Sequence, residues 1–381
     1  MKILIAGDYC PNNRVANLIE NGDYEIIFSE IKEAIEEKGI DYSIVNFECP
    51  VVLSNAEPID KIGPNLKCTS KAVDAIKYAG FNCVTLANNH ILDYGVEGWK
   101  DTINVCSKAG LDIVGVGNDL TDSHRILYKQ IGDKILAIIN CCEHEFSVAT
   151  ESSAGANPLN PIQQYYDIQK ARDNADYVLV VVHGGHEGYQ LPSVRMVDTY
   201  RFFIDAGADI VVNHHQHCFS GYEVYKNKPI FYGIGNFCFE RKNVVNDIWN
   251  YGYMVVLEFI EGQILFDYIP YKQCSEEPKV KIILKDKVSQ RVETLNEIIN
   301  NRDLLLKNNE NFYLKGEKYI LIGLEPIKNR IYKSLRYRNI LKSFFSRQFY
   351  KLLYAFINCE SHRDKFLLIL KNKYINGYKD R

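Results

Sequence analysis

Strand and helix patterns alternate along the first 215 residues of this 381-residue chain. Apolar runs typical of buried strands lie at 2–6, 43–47, 81–86, 112–116, 177–182 and 209–213. Amphipathic helical patterns separate most of them, for example at 29–37, 71–78, 95–108 and 194–205. Because elements that alternate in this way pack as helices on a buried sheet, the pattern predicts an α/β fold with a mostly parallel sheet.

A polar residue follows five of these strands. The residues in question are Asp8, Glu48, Asn89, His183, His215 and His217. A single Asp or Asn after a strand often only caps the next helix. In open α/β sheets, however, ligands bind beyond the carboxyl ends of the strands. Five ends that all deliver nitrogen or oxygen ligands therefore indicate one shared site at that edge.

Three of the nine histidines lie within four positions, at His214, His215 and His217. An apolar strand can carry one satisfied imidazole into a core, but it rarely carries three. His215 and His217 are one residue apart, so both side chains can reach the same site from an extended or turning backbone. The competing interpretation is a polar loop with chance histidines, and the other strand ends argue against it.

Carboxylate, amide and imidazole ligands together suit Mn, Fe or Zn, whereas a structural zinc would favour cysteine. Six candidate ligands exceed what one tetrahedral ion needs, so the set predicts one or two divalent ions that share a bridging carboxylate. Two-metal sites activate water and cleave phosphoesters. His90, beside Asn89, is then placed to protonate the leaving oxygen, with Asp93 orienting it.

After residue 221 the pattern changes to strands, with hairpin signals at 226–228 and 261–262. We therefore predict a first domain over 1–285 and a mostly helical extension over 286–381. Between Pro326 and Cys359 there are eight basic residues and no acidic one, with apolar residues at helical spacing. A helix of this kind either lies on an anionic membrane surface or docks on a partner or the core.

Composition narrows the function classes. A net charge of −3 argues against a nucleic-acid-binding protein. The eleven cysteines form no C-x-x-C pair, which is typical of thiols in a reducing compartment. Neither a signal peptide nor an apolar run of about 20 residues is visible. We therefore expect a cytoplasmic protein, with peripheral membrane contact through the basic C-terminal region.

Several motifs occur in order: GDY at Gly7, NFECP at Asn46, LANNHILDYG at Leu86, VVHGGHEGY at Val181, NHHQHCFSGYEVY at Asn213 and PIFYGIGNFCFE at Pro229. Together they resemble the CapA family of capsule or poly-γ-glutamate synthesis proteins. The resemblance covers residues 1 to about 240. It implies a calcineurin-like metallophosphoesterase fold, in which mixed sheets are flanked by helices.

The resemblance also implies a role for each matching residue. The expected roles are Asp8 on one metal, Glu48 as the bridging carboxylate, Asn89 and His183 as ligands, His215 and His217 on one metal each, His90 as general acid with Asp93, and Glu187 and Asn236 as substrate contacts. His214 stands where the family has a small residue, so it is left outside the ligand set.

Two departures from the wider superfamily affect the expected activity. The superfamily opens with Asp-x-His, whereas Asp8 here is followed by Tyr9 and Cys10. Either Cys10 supplies a thiolate ligand or the first metal site is weak. Glu48 replaces an aspartate and lengthens the bridge by one methylene.

Three functions follow from these observations. The first is a metal-dependent hydrolase of the phosphoesterase class, with a metal-activated water, that acts on a phosphoester or surface polymer. The second is a non-catalytic assembly factor of a polymer synthase complex. The third is a metal-dependent amide hydrolase that cuts a γ-glutamyl bond. The ligand set favours an enzyme but does not separate the first function from the third.

Overall fold

The computed structural model describes residues 1–53, 55–61, 63–260, 262–324 and 329–358. The chain forms two compact units, Met1–Lys307 and Asn308–Arg381. The division at residue 285 stays a prediction, because it was drawn from the change in sequence pattern and not from contacts.

The strands of the described residues are β1 (Lys2–Tyr9), β2 (Tyr42–Phe47), β3 (Cys83–Thr85), β4 (Asp112–Val114), β5 (Val116–Gly117), β6 (Leu127–Ile131), β7 (Lys134–Cys142), β8 (Gly155–Ala156), β9 (Tyr177–His183), β10 (Ile210–His214), β11 (Tyr222–Tyr225), β12 (Lys228–Phe231), β13 (Asn236–Cys238), β14 (Tyr251–Ile260), β15 (Gln263–Gln273) and β16 (Val280–Ile282). The helices are α1 (Asn13–Asn21), α2 (Tyr24–Glu37), α3 (Lys71–Tyr78), α4 (Gly95–Lys108), α5 (Leu120–Ser123), α6 (Pro161–Arg172), α7 (Val194–Asp205), α8 (Asp286–Asn300), α9 (Arg302–Leu324), α10 (Arg330–Tyr337) and α11 (Arg347–Asn358), with one 3₁₀ turn at Ile248–Asn250.

Two large sheets organise the first unit. The first has the order β16-β15-β14-β1-β2-β3-β4, with β13 also paired to β1, and the second has the order β11-β12-β10-β9-β7-β6. Strands β1 to β4 run parallel, as do β7, β9, β10 and β12, while the hairpin strands run antiparallel. The prediction of one mostly parallel sheet is thus refined to two mixed sheets.

Side chains along β1 alternate between two cores. Ile3 and Ile5 pack in the cluster that also holds the strands of the second sheet. Leu4 and Ala6 pack in the cluster that holds α1, α2 and α3. Because successive strand residues face opposite ways, β1 is buried on both faces and reads as a continuous apolar run. The predicted α/β fold class, with mixed sheets flanked by helices, is confirmed.

Local signals account for the helix positions. The predicted helices at 71–78, 95–108 and 194–205 coincide with α3, α4 and α7. Ser193 caps α7 by accepting a hydrogen bond from the N–H of Met196. Helix α6 has a similar cap in Asn160 and a proline at its start, but its apolar residues show little periodicity, so pattern alone did not predict it.

The chain returns from the second sheet to the first through the loop between β12 and β13, and β13 pairs with the second half of β1. The N–H of Asp8 donates to the carbonyl of Gly235 at 3.1 Å. A Cβ atom at position 7 would lie 1.9 Å from that oxygen, so only glycine fits there. This main-chain contact holds the carboxyl end of β1 against the loop that leaves the second sheet.

Helices α10 and α11 belong to the second unit. They carry exposed apolar side chains, among them Ile331 and Tyr354, at 71% and 68% exposure. The predicted basic amphipathic region is thus helical at Arg330–Tyr337 and Arg347–Asn358 and non-helical at 338–346, while Lys328 and Cys359 lie outside the described residues. No described helix has both the length and the apolar character needed to cross a membrane.

Candidate metal centre

The six predicted metal ligands converge at one edge of the first unit. Asp8 lies near the end of β1, Glu48 follows β2, and Asn89 follows β3. From the second sheet, His183 ends β9, and the histidine pair follows β10. All six side chains are buried. The geometry assigns them to two groups that share Glu48.

The first group, called here the His183 half, consists of Glu48, Asn89, His183 and His215. His183 Nε2 lies 3.0 Å from Asn89 Oδ1 and 3.1 Å from His215 Nδ1. Its distance to Glu48 Oε1 is 3.9 Å. Spacings of about 3 Å are those of atoms that coordinate one ion with bonds near 2 Å. These side chains therefore fit a single divalent ion.

The second group, called here the Asp8 half, consists of Asp8, Glu48 and His217. His217 Nδ1 lies 3.3 Å from Asp8 Oδ2, and His217 Nε2 lies 3.6 Å from Glu48 Oε1. Each residue offers one ligand atom, and these atoms lie within 4.8 Å of one another. This half has one protein ligand fewer than the His183 half.

The surroundings of Glu48 indicate whether a divalent ion fits between these side chains. Its side chain is completely buried, and both carboxylate oxygens lack a hydrogen-bond partner among the described residues. Burial raises the pKa of this carboxyl well above its usual range, although the imidazole of His217 acts against it. A buried carboxylate without donors is costly unless a cation compensates it. The donor set therefore fits a divalent ion on each side of Glu48.

Asp8 has the opposite environment. Its Oδ1 accepts a hydrogen bond from Asn46 Nδ2 at 2.7 Å, and its Oδ2 accepts one from the N–H of His215 at 3.2 Å. Burial acts to raise the pKa of Asp8, but hydrogen bonds from His214 and His217 outweigh it and hold the pKa well below its usual range. Asp8 is thus an ionised ligand with its geometry fixed.

The backbone of the histidine pair is strained. His215 has φ +82° and His217 has φ +55°, a left-handed conformation that residues with a side chain rarely adopt. Such a conformation costs on the order of 1–3 kcal/mol per residue. It turns the two imidazoles from the end of β10 toward different halves of the centre.

Polar residues outside the ligand set orient the ligands. The side chain of Asn46 reaches both Asp8 and His183 Nδ1, the latter at 3.3 Å. Asn89 Nδ2 donates to Glu145 Oε2 at 2.7 Å, which leaves Asn89 Oδ1 directed at His183. Contacts of this kind fix ligand rotamers and raise metal affinity.

The predicted acid pair is also present. His90 Nδ1 lies 2.7 Å from Asp93 Oδ2. Lys61 pairs with the other oxygen of Asp93, and its Nζ is 3.2 Å from His90 Nδ1. The Asp93 carboxylate is completely buried and contacts both side chains, so it holds His90 and Lys61 in place.

The two predicted substrate contacts differ in their surroundings. Glu187 is exposed, and its carboxylate forms a third possible ligand group with His215 and His217. Asn236 is completely buried; its Oδ1 lies 2.9 Å from His217 Nδ1, and its Nδ2 donates to the carbonyl of Trp249 at 3.2 Å. Asn236 therefore orients His217 in this structure.

Cys10 does not reach the described ligand groups. Its thiol is buried in the helix-covered core and interacts with Cys49, and burial raises the pKa of Cys10 well above its usual range. His214, which was left outside the ligand set, lies against the centre, with Nδ1 3.3 Å from Asp8 Oδ1.

Sequence reasoning missed four residues of the centre, namely Asn46, Lys61, Glu145 and His214. Asn46 is two positions before Glu48, so strand alternation could have placed both on one side. Glu145 follows the end of β7, so its position after a strand is the same signal that marks the predicted ligands. Lys61 lies in an irregular loop, and no sequence pattern marks it.

Comparisons with known proteins agree with the motifs. The family model described as "Bacterial capsule synthesis protein PGA_cap" matches residues 2–241. "Capsule biosynthesis protein CapA" of Bacillus anthracis is 34% identical over 249 residues, which are 63% of this chain and 60% of that protein. "PGA biosynthesis protein CapA" of Bacillus subtilis is 34% identical over 239 residues, 62% of each chain. The chain thus spans about 60% of the length of these relatives.

More distant similarities were also found. "Probable polyglutamine synthesis accessory protein Rv0574c" of Mycobacterium tuberculosis is 28% identical over 229 residues, 56% of this chain and 60% of that protein. Among solved structures, a phosphatase from Mycoplasma pneumoniae is 14% identical, with a TM-score of 0.45, and covers 72% of this chain and 95% of its own. A putative 5'-nucleotidase from Staphylococcus aureus is 15% identical, with a TM-score of 0.45, and covers 77% of this chain and 58% of its own.

Proposed function

The chain belongs to the PGA_cap family of bacterial capsule synthesis proteins, and from this premise we propose that it is a metal-dependent hydrolase acting in capsule or poly-γ-glutamate biosynthesis. The observation that carries the proposal is the buried Glu48 carboxylate, which accepts no hydrogen bond from the described residues and belongs to two ligand groups. A buried carboxylate in such a position is compensated when two cations share it.

Each half of the centre would hold one divalent ion. The ligands of one ion would be Asp8, Glu48 and His217, and those of the other would be Glu48, Asn89, His183 and His215. Ions bound there supply Lewis acidity and a water of lowered pKa. Asn46 keeps Asp8 and His183 in position through its amide.

His90 acts as the proton donor. The hydrogen bond between His90 Nδ1 and Asp93 fixes the ring, and Nε2 is the atom that passes a proton to the leaving group. Lys61 holds the Asp93 carboxylate from its other side. A leaving alkoxide and a leaving amine both need such a proton, so phosphoesters and γ-glutamyl amides are both candidate substrates.

Metal content is the first test. We expect one or two equivalents of Mn, Fe or Zn in the purified protein and their loss in the double variant His215→Ala/His217→Ala. His124→Ala is the matched control, since His124 lies against Asp167, outside the ligand groups. Absence of metal from all three proteins, even after reconstitution, would contradict the hydrolase function.

Activity is the second test. Protein with a filled site is assayed on a phosphodiester and on a γ-glutamyl amide, each with a chromogenic leaving group. Asp93→Asn should lower kcat by about 10²-fold on the true substrate, because the proton donor loses its orientation. The effect should shrink for a leaving group of low pKa, which needs no proton.

The second candidate function is a non-catalytic assembly factor of a polymer synthase complex. It is favoured by the position of Cys10, which lies outside the described ligand groups, and by the name of the Mycobacterium tuberculosis relative, an accessory protein. Protein that binds metal yet hydrolyses no substrate, and that co-purifies with a synthase, would support this function over the first.

We also propose that α10 and α11 contact an anionic membrane surface. Their segment carries seven described basic residues, and Asp and Glu are absent from 329–358. Ile340 and Phe344 between the helices are 62% and 56% exposed. Basic residues beside exposed apolar ones favour the headgroup region of anionic bilayers. Vesicle co-sedimentation should be lost when residues 326–381 are deleted, and unchanged binding would contradict the proposal.

A further inference from the structure

A cleft of about 510 Å³ opens on the first unit, between α8 and the loops that surround the metal centre. We call it the α8 cleft, and the residues that define it are Gln190, Phe219, Ile248, Lys287, Val288 and Arg291. Phe219 and Val288 give it an apolar floor, since both are buried. Ile248 forms an exposed apolar edge.

Two cations, Lys287 and Arg291, line the cleft. Lys287 and Arg291 are one turn apart on α8, which separates them by about 6 Å along the helix. Arg291 donates from Nε and Nη2 to Oε1 of Gln190, a neutral amide, at 3.0 and 2.9 Å. Within the described part of the chain, neither cation forms an ion pair. Lys287 and Arg291 against the one carboxylate of Asp247 leave the described lining with a net positive charge.

One acidic side chain, Asp247, is among the described residues that line the cleft. Its Oδ1 accepts a hydrogen bond from the N–H of Trp249 at 3.1 Å. It caps the 3₁₀ turn at Ile248–Asn250 and is not paired with a lysine or arginine. A third cation, Lys272, is neutralised by Glu276 at 2.7 Å.

The cleft and the metal centre share their walls. Gln190 lies in the loop that carries Glu187, and its Nε2 donates to the carbonyl of Phe219 at 3.0 Å. Phe219 is two residues beyond the ligand His217. On the other side, the ring of Trp249 lies 4.7 Å from the ring of His217. A molecule that lies across these loops would reach both places.

We propose that the α8 cleft binds carboxylate groups of an extended polyanionic chain whose reacting bond lies at the metal centre. Two cations spaced along an apolar floor match a chain that carries one carboxylate on each aliphatic repeat. A polyphosphate, which is charged throughout and has no apolar part, matches the floor poorly. The reaction at the far end rests on the proposed function, whereas binding in the cleft does not.

Intrinsic fluorescence can test the binding step alone. The chain has two tryptophans, and Trp99 is 4% exposed, so in a Trp99→Phe background Trp249 reports on the loop between the centre and the cleft. The probe is a γ-linked glutamate oligomer of about ten residues, titrated at low salt with a chelator present. Lys287→Gln/Arg291→Gln should weaken binding about tenfold or more and reduce its dependence on salt.

The matched control removes the same charges elsewhere. Lys100 and Arg125 line a different cavity of about 500 Å³, so Lys100→Gln/Arg125→Gln should leave the affinity unchanged. Lys287→Gln alone, at an exposed side chain, should give a partial loss of affinity even if the Arg291 variant is unstable.

Three outcomes would overturn the proposal. They are an equal loss of affinity in the control, no loss in the cleft variants, and equal binding of polyphosphate or an uncharged polymer. Metal content and hydrolysis are measured separately, so an inactive protein that still binds the oligomer contradicts only the proposed reaction.

Discussion

The two halves of the metal centre share Glu48 but are built differently. The His183 half gathers an amide and two imidazoles, whose atoms already lie about 3 Å apart. The Asp8 half has one carboxylate and one imidazole of its own, and both are engaged in hydrogen bonds with neighbours. The difference indicates that one half is a complete ligand set and the other relies on its surroundings.

The electrostatics of the two halves differ in the same sense. Burial and the neighbouring His215 keep the pKa of His183 well below its usual range, so its imidazole is neutral and ready to bind an ion. Burial acts to lower the pKa of His217, but the carboxylates of Glu48 and Asp8 outweigh it and raise that pKa to about 10. An ion in the Asp8 half must therefore displace a proton. We expect tight binding in the His183 half and weaker binding in the Asp8 half.

Removing the shared ligand should have the largest effect. Glu48→Gln is expected to abolish binding of both ions, because each half loses its central carboxylate. The same change should stabilise the chelator-treated protein by about 1–3 kcal/mol, since a buried charge without donors disappears. Metal content and thermal unfolding measure the two effects. Glu223→Gln is the control, because Glu223 is a buried carboxylate that pairs with Arg201 outside the ligand groups. Loss of one ion only would show that the halves do not share Glu48.

Removing the orienting amides should separate the halves. Asn236→Ala is expected to weaken the ion of the Asp8 half about 10–100-fold, because Asn236 holds His217. Asn46→Ala should weaken both ions, since Asn46 contacts Asp8 and His183. Titration calorimetry of chelator-treated protein resolves the two affinities. An equal effect of Asn236→Ala on both ions would remove the distinction between the halves.

The pH dependence should differ between the two ions. Below its pKa of about 10, His217 carries a proton that the ion must release, so affinity in the Asp8 half should rise about tenfold per pH unit from about pH 6 to 9. His183 is already neutral there, and any proton on the shared Glu48 is released to either ion, so affinity in the other half should rise less steeply with pH. Metal titrations across that range measure both slopes. The steep slope should vanish in His217→Gln, and a slope that persists would assign the proton to another group.

The smallest effect is expected at Cys10. Cys10→Ser should leave both metal affinities within about twofold, because the thiol lies in the core beside Cys49. A buried hydroxyl should lower the free energy of unfolding by about 1 kcal/mol. Calorimetry and chemical denaturation measure the two quantities. A loss of affinity beyond tenfold would identify Cys10 as a ligand.

Sequence patterns predicted the elements of this fold well because burial on both faces makes the central strands continuously apolar. They could not show that β7, β9 and β10 form a separate sheet from β1, β2 and β3, since strand partners are set by packing and not by local pattern. Helix α6 escaped prediction for a similar reason: Gln164 and Asp167 are buried on its inner face, so apolar periodicity is weak.

The same limit applies to the candidate site. The convergence of the six candidate ligands could be predicted because each stands at a strand end, where chain order alone places it at one edge. The residues that orient them could not be predicted in full, since Lys61 reaches Asp93 from an irregular loop. The α8 cleft depends on the hydrogen bond between Gln190 and Arg291, two residues 101 positions apart in the chain. No short-range sequence pattern predicts such a contact.

The close approach of Gly7 to Gly235 has an evolutionary consequence. Because main-chain atoms fix the separation of the two sheets at this point, the positions that face the centre keep their spacing whichever side chains they carry. A candidate ligand can then be exchanged, as glutamate for aspartate at 48, without rebuilding the scaffold. Divergence in chemistry should accumulate at these positions faster than divergence in architecture.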